Sequence, residues 1–562
     1  MRSRAAAVTL VTVVLAGCAM ADERPQVATH VDDWRDEIIY EIVVDRFDNG
    51  DPGNDFVGAI GPVAGELERH QGGDWAGIRR RLGYLERLGV TSIWISPIVA
   101  NVDRTDYQDG YHGYWASTFT ELNPRFGDLD ELRALVDDAH DRGIKVIIDV
   151  VINHTGRVFF YDLDGDGAMD PGEAEPTFSM EGAYDAPIVW LTDRPQLFRY
   201  PAPGAEPELV TLGPEHFHRR GQTSDGSALQ KELGDFPTGL RDLDSENDEL
   251  VAMLVDTWVR WVELTDVDGF RLDAVPHAPH ALWRSFAEQL RPRLAAIGKD
   301  KFLLLGEVFT GDPGKLAGYT GDGGLDSVFD FSLKDRLIEG FLMDGEAPAV
   351  VAPVLEAYRD FYPDRGHPGG IGLSPWQARI GFADNHDMPR LRYWLDDPWL
   401  VEAAMTILFT VDAIPAIYYG TEQGFSGGWD NDSREVMWER GFSEDGRTYR
   451  HIARLAELRK QSRALRRGAI EVVYASSISA RESAPGAGLL AYERYTEDGE
   501  RVLVAVSGHP TQRTAATFAT GFAPGTLLRD ALTDRLDRWR VSPDGRVHVD
   551  LPPREAVVLV PE

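Results

Sequence analysis

Between residues 38 and 465, short apolar runs alternate with stretches of helical periodicity, and that rhythm restricts the chain to strand–helix units around a parallel sheet. The first three runs are 38–47 (IIYEIVVDRF), 90–98 (VTSIWISPI) and 145–153 (KVIIDVVIN). Their near-continuous apolar character suits strands buried on both faces. Helical spacing over 74–88, with Asp74 as a cap, and over 128–142 separates them. The rhythm returns with a helix at 247–265, a strand at 267–275 and a helix at 280–290. Further strands are expected at 302–309, 328–333, 378–385 and 414–419, with helices at 400–410 and 451–465 among those that alternate with them. Eight strands alternating with helices predict an α/β fold of the (β/α)8 TIM-barrel type rather than a doubly wound sheet.

Two segments break the rhythm. Residues 155–240 are rich in Gly, Pro and Asp, and a structureless loop of that length is improbable in a compact domain, so an inserted subdomain after the third strand is expected. Beyond residue 466 the pattern becomes short alternating strands such as 488–495 and 501–506, which predicts a C-terminal antiparallel β-sandwich. The expected division is a leader at 1–18, a tether at 19–33, a barrel at 34–154 and 241–465, the insertion at 155–240 and the C-terminal domain at 466–562.

The leader reading rests on Arg2 and Arg4, an apolar run from Ala5 to Leu15 too short to span a bilayer comfortably, and its end at Leu15-Ala16-Gly17-Cys18. That end resembles the lipobox of bacterial lipoproteins, which implies lipidation of Cys18, the one cysteine of the chain. Export follows, either tethered to a membrane by lipid or secreted if the lipobox is unused. A formal net charge of −35 argues against nucleic acid and against anionic membrane surfaces as partners. A neutral polymer such as a glycan fits, no protein partner is implied, and the abundant carboxylates suit hard cations such as calcium.

The chemistry gathers at strand ends. In Val267-Asp268-Gly269-Phe270-Arg271-Leu272-Asp273, side chains two apart share a face, so Arg271 and Asp273 stand side by side. A guanidinium there favours the ionised carboxylate that a nucleophile requires. Taken singly, the pair is as readily structural as catalytic. A barrel, however, collects the carboxyl ends of its strands at one mouth. Those ends supply Asp149 and Asn153-His154, Arg271 and Asp273, Glu307, and His386-Asp387. Two carboxylates flanking one bond is the arrangement of glycoside hydrolysis. Glu307 lies in an apolar run (Leu303-Leu304-Leu305-Gly306-Glu307-Val308-Phe309), and burial suits a protonated acid.

Asp149-Val150-Val151-Ile152-Asn153-His154, Gly269 to Asp273, Gly306-Glu307-Val308 and Phe382-Ala383-Asp384-Asn385-His386-Asp387 resemble, in order and spacing, four sequence regions of the α-amylase family, glycoside hydrolase family 13. The resemblance covers about residues 34–562. It implies retaining action on α-1,4-glucans, with Asp273 as nucleophile, Glu307 as acid/base and Asp387 as a third acid holding ring hydroxyls. It also implies sugar contacts from Arg271, His386, His112 and Tyr114, the last as an aromatic platform. Many relatives carry Lys-His after the nucleophile, whereas this chain has Pro276-His277. A maltogenic or cyclodextrin-forming or -degrading transglycosylase is therefore the alternative. A non-catalytic glucan-binding lipoprotein would lack one of the three acids, and all three are present.

The resemblance also implies calcium. One site would use Asn153, Asp242 and the backbone of His277, between barrel and insertion. A second, similar to one in cyclodextrin glucanotransferases, would use Asn49, Asp51, Asn54 and Asp55 with Gly72 and Asp74. A third loop comes from the residues themselves. Asp162, Asp164, Asp166, Ala168, Asp170 and Glu173 fill every ligand place of a twelve-residue EF-hand loop, with Gly167 at the sharp turn. Its flanks read as strand or coil, so the loop is expected without a helix pair.

Overall fold

The structure, a computed structural model, describes residues 26–562 apart from 106, 177–185, 203, 225, 395 and 534–535. Cys18 and the first part of the expected tether lie outside the described residues. Eight parallel strands form the barrel: β1 (Ile39–Ile42), β2 (Ser92–Ile95), β3 (Lys145–Val150), β4 (Gly269–Leu272), β5 (Leu303–Gly306), β6 (Ser327–Val328), β7 (Ile380–Gly381) and β8 (Ile414–Tyr418). They are paired in chain order, with β8 returning beside β1. The seam between β6 and β7 is joined by a parallel bridge from Phe329 to Ile380.

The strand pleat divides the core in two. Ile39, Trp94, Ile147, Leu303, Leu305, Ile380 and Ile414 fill the barrel interior. Their neighbours Tyr40, Ile93, Ile148, Phe270, Leu304 and Ile417 face the surrounding helices. Burial on both faces explains the unbroken apolar runs, and each fully buried Leu, Ile or Val contributes about 1.5–3 kcal/mol. Helix starts follow their caps. Asp74 accepts the N–H of Gly77 at 2.6 Å before α1 (Trp75–Leu88), and Asp128 and Glu131 form a reciprocal capping box at α2 (Leu129–His140). Asn247 caps α3 (Asp248–Thr265).

The strands are shorter than the apolar runs. The first ends at Ile42, and Val44–Phe47 makes one helical turn whose first N–H donates to Ser96 Oγ. The strand expected at 328–333 stops at Val328, because Asp330 accepts the N–H of Leu333 at 2.9 Å and starts a helical turn. In each case a side-chain acceptor takes the backbone donor from the ladder, Asp330 locally and Ser96 from beyond the end of β2. The helix expected at 451–465 runs Arg447–Gln461 and restarts after Ser462, which caps Arg463–Arg467.

The insertion is built from small antiparallel pairs, Phe159–Tyr161 with Ile188–Trp190 and Gln196–Arg199 with Glu208–Thr211. A third pair, His154–Thr155 with Arg241–Asp242, closes its two ends onto the barrel. The C-terminal domain is a six-stranded antiparallel sheet facing a two-stranded one (Thr514–Ala519 with Arg546–Leu551). Leu489, Ala491, Leu503, Val549 and Leu559 lie between the sheets. Leu490, Tyr492, Val504 and Val558, on the alternate face, join the core of the barrel.

Candidate active site

Register assembles the site. Across β3 and β4, Arg271 stands opposite Asp149, and Asp273 follows two residues later on the same face. Arg271 is fully buried, and its guanidinium is shared by three carboxylates. Nη1 reaches Asp149 at 3.1 Å and Asp273 at 2.6 Å, and Nη2 lies 3.3 Å from Glu307 at the end of β5. The backbone N–H of Ala274, a residue in the left-handed region (φ 51°), donates to the other oxygen of Glu307 at 3.1 Å. One cation thus ties the two carboxylates of the expected chemistry together. Asp149 is fixed further by Tyr114 Oη at 2.7 Å and Trp94 Nε1 at 3.1 Å.

A second chain of charges comes from the other side of the barrel. His386 Nδ1 bonds Glu41, at the end of β1, at 2.6 Å, and its Nε2 lies 3.1 Å from Asp387. Arg434, in the loop after β8, reaches Asp387 at 3.3 Å and the carbonyl of His386 at 3.0 Å. The Tyr114 and His386 rings are stacked, centroids 5.1 Å apart and 6° from parallel. The His112 ring lies 5.7 Å from that of Tyr114 and 25° from parallel, and its Nδ1 accepts the Tyr114 N–H at 3.0 Å.

These surroundings set opposite charge states. Burial pushes the Glu307 carboxyl up to about 7. Asp273 and Asp387 push the same way, and Arg271 opposes them without prevailing. Asp387 is held well below the ordinary carboxylate range, because His386 and Arg434 outweigh its burial. His386, between two carboxylates, is pushed up to about 10 against the effect of its own burial. Asp273 differs from the expectation that Arg271 alone would keep it ionised. Burial raises it, and Asp149 adds to the rise, because three acids divide one guanidinium. Its contact with that cation is still shorter than Glu307's, so a proton shared in the site goes to Glu307. The site therefore offers one protonated acid beside one paired carboxylate, with a third acid held charged.

Asn153, Asp242 and His277 lie just outside this mouth. The carbonyl of Asn153 accepts the Leu243 N–H at 2.9 Å, and the His277 ring packs edge-on against Phe236 at 4.6 Å. One oxygen of Asp242 bonds His218 at 2.5 Å, and the other is buried with no hydrogen-bond donor. In the loop after β1, Asn49 donates to Asp55 at 2.7 Å, and the side-chain carbonyl oxygens of Asn49 and Asn54 are buried without a donor. Gly72 has φ +97°, and a Cβ there would lie 2.6 Å from Asp55 Oδ1. Asp51 caps the loop through the Gly53 N–H at 2.9 Å. Asp74 serves both the loop and the helix. Its two oxygens take the N–H groups of Gly50, Asp51 and Gly77, so its side chain closes the loop and caps α1.

The twelve-residue loop is wound as a turn. Asp162 accepts the Gly167 N–H at 3.2 Å, Asp166 the Ala168 N–H at 2.7 Å, and Glu173 the N–H groups of Leu163 and Asp170 at 2.7 and 2.9 Å. Oxygens of Asp162, Asp164 and Glu173 lie within 4.8 Å of one another, as do those of Asp164, Asp166 and Asp170. Among the described residues no helix pair flanks it: a strand precedes it and turns follow. Sequence reasoning missed Glu41 and Arg434. Glu41 was a polar residue inside an apolar run, which was itself a signal, whereas Arg434 meets Asp387 only through the fold.

The family model for the α-amylase catalytic domain matches residues 41–445. An α-amylase of Streptomyces lividans is 33% identical over 87% of this chain, which spans 56% of that protein's length. A solved Anoxybacillus α-amylase is 29% identical, covers 95% of this chain and 99% of its own, and superposes with a TM-score of 0.72. A cyclomaltodextrin glucanotransferase with a three-domain arrangement is 27% identical over 93% of this chain and 98% of its own, with a TM-score of 0.73. With 405 consecutive residues of its barrel and insertion matched by that model, the chain belongs to the α-amylase family.

Proposed function

We propose that the protein is a retaining α-glucan hydrolase that cleaves α-1,4-glucosidic bonds of starch or maltooligosaccharides. The observation that carries the reading is the single Arg271 guanidinium contacting both Asp273 and a Glu307 whose carboxyl is pushed up to about 7. In the first step Asp273 attacks C1 of the sugar, and Glu307 gives its proton to the departing glycosidic oxygen. In the second, Glu307 takes a proton from water, whose oxygen displaces Asp273 from C1. Asp387, held charged, accepts hydrogen bonds from ring hydroxyls, and the Tyr114 ring supports the sugar face. Arg271 and His386 keep the acids oriented. The carboxyl groups of Asp273 and Glu307 are expected about 5–5.5 Å apart, as in retaining enzymes. Pro276, in place of the Lys of many relatives, keeps transglycosylation as the second reading.

Calcium is part of the proposal. Asn153, Asp242 and the His277 carbonyl would hold one ion, and the buried donor-free oxygen of Asp242 supports this. Asn49, Asp51, Asn54, Asp55, Asp74 and the Gly72 carbonyl would hold a second, supported by the two donor-free amide oxygens. The loop from Asp162 to Glu173 would hold a third. Bound calcium would supply fixed positive charge that ties the loops and the insertion to the barrel. Export and lipidation at Cys18 complete the reading, supported by the Leu-Ala-Gly-Cys end of the leader. The test is product analysis on soluble starch and on a cyclodextrin, with Asp273→Asn as the blank. Release of maltooligosaccharides from starch by the native chain alone is expected. Release from neither substrate would refute the proposal.

A further inference from the structure

At the amino ends of β7 and β8, opposite the catalytic mouth, a cavity of about 740 Å³ opens between the barrel and the C-terminal domain. Its wall carries Arg35, Arg359, Arg463, Arg466, Arg467 and Arg494 against three carboxylates, Glu356, Asp412 and Glu497. In a chain of net charge −35, such a concentration of arginine runs against the composition. Of the wall carboxylates, Asp412 is paired outside the cavity and Glu356 keeps its charge in the wall. Glu356 accepts the Val472 N–H at 2.9 Å, and Asp412 accepts from Trp376 at 2.9 Å and Arg379 at 3.0 Å. Four of the arginines are held by acids at the rim: Arg35 by Asp33 and Arg466 by Asp36, at 2.7 and 2.9 Å, Arg467 by Asp33 and Asp36, and Arg463 by Asp498 at 2.7 Å.

Two of the wall arginines make no ion pair among the described residues. Arg359 has no ion pair or side-chain hydrogen bond among the described residues. Arg494 is fully buried and donates to the carbonyls of Thr410, Gly468 and Ala469 at 2.7, 2.8 and 3.4 Å. These use three of the five N–H groups of a guanidinium and neutralise none of its charge. Arg466 Nε is buried without a partner. Behind the wall, Arg459 is also fully buried and donates to carbonyls alone, of Phe409, Leu465, Arg35 and Ala413. Burial of such charge without an anion is costly. A tetrahedral oxyanion presents several acceptors to planar guanidinium forks.

We propose that this cavity is a binding site for a phosphate-class oxyanion, held by Arg359, Arg466 and Arg494 and separate from the hydrolytic site. A free phosphate ion and the phosphate of a lipid headgroup offer the same chemistry. The N-terminal segment runs along this pole, since Arg35 lies in the wall and Asp33 and Asp36 hold the rim.

The test is calorimetric titration of the full chain with inorganic phosphate, against sodium chloride at matched ionic strength. Variants are Arg359→Glu and, as a control away from the cavity, Arg513→Glu. Saturable binding by the native chain is expected, weakened at least about tenfold in Arg359→Glu and unchanged in Arg513→Glu. Both variants should keep native starch hydrolysis, which establishes that they fold. Co-sedimentation with phosphatidylglycerol and phosphatidylcholine vesicles then separates the sources. Lower recovery of Arg359→Glu on phosphatidylglycerol alone assigns a headgroup, and equal recovery assigns free phosphate. Phosphate heats equal to those of chloride, or equal affinity in Arg359→Glu, would overturn the site and leave the arginines as ties between the domains.

Discussion

Replacing Arg271 by Met removes the one cation that three buried acids share. Met keeps most of the side-chain volume, so the change is electrostatic rather than a cavity. The native contacts are 3.1 Å to Asp149, 2.6 Å to Asp273 and 3.3 Å to Glu307. Breaking a buried pair costs about 3–5 kcal/mol, and a loss of about 3 kcal/mol raises a carboxyl by about 2 pH units. Burial already raises all three acids, so the variant should take up protons near neutrality. The acid limb of kcat/KM, set by ionised Asp273, should then move up by about 2 units. Stability has a definite sign. A carboxyl whose folded pKa exceeds its unfolded value gives stability that is whole below about pH 4 and is lost as pH rises through the folded value. The deficit against native protein should therefore widen from acid to neutral pH, reaching a fall in Tm of about 3–4 °C. Calorimetric scans at a fixed rate across pH, with kcat/KM profiles, measure both effects. A variant melting within about 2 °C of native protein at neutral pH, with an unmoved acid limb, would refute the shared-cation argument.

Glu307→Gln should leave the fold intact and lower kcat by about 10²–10⁴-fold, read on a maltooligosaccharide with an aryl leaving group. Since Glu307 is pushed up to about 7 and its protonated form is the acid, activity should decline above neutrality, and a native profile rising steadily to pH 9 would contradict the assignment. Asp162→Ala with Glu173→Gln should bind fewer calcium ions than native protein and lose part of the calcium-dependent rise in Tm. Equal stoichiometry and equal Tm in calcium would reduce the loop to a turn. Cys18→Ser should move the exported protein from the membrane fraction to the soluble fraction, and unchanged membrane recovery would remove the lipid anchor from the proposal.

The barrel was legible because its strands are buried on both faces, so Ile39, Ile147 and Leu303 inside and Tyr40, Ile148 and Leu304 outside make each run mostly apolar. Strand lengths were less so, since acceptors such as Ser96 Oγ and Asp330 capture backbone donors at strand ends through contacts that apolar pattern does not encode. The pairing of Arg271 with Asp273 followed from the two-residue pleat. Their ionisation did not, because it depends on Asp149 and Glu307 arriving from neighbouring strands. Glu41 could have been singled out as the one acid in IIYEIVV, where burial demands a partner, although nothing local identifies His386 as that partner. Asp74 carried two signals, helix cap and loop ligand, and in the fold one oxygen caps α1 through the Gly77 N–H while the other takes the Asp51 N–H of the loop.

The central claim is that Asp273 forms the bond to C1 while Glu307 gives and then recovers the proton. Proton NMR of products within the first minutes of hydrolysis, before mutarotation, tests it most directly. Double displacement requires that new reducing ends appear first as α-anomers and only later equilibrate. β-Anomers appearing first would mean single displacement by water, and Asp273 could not be the nucleophile.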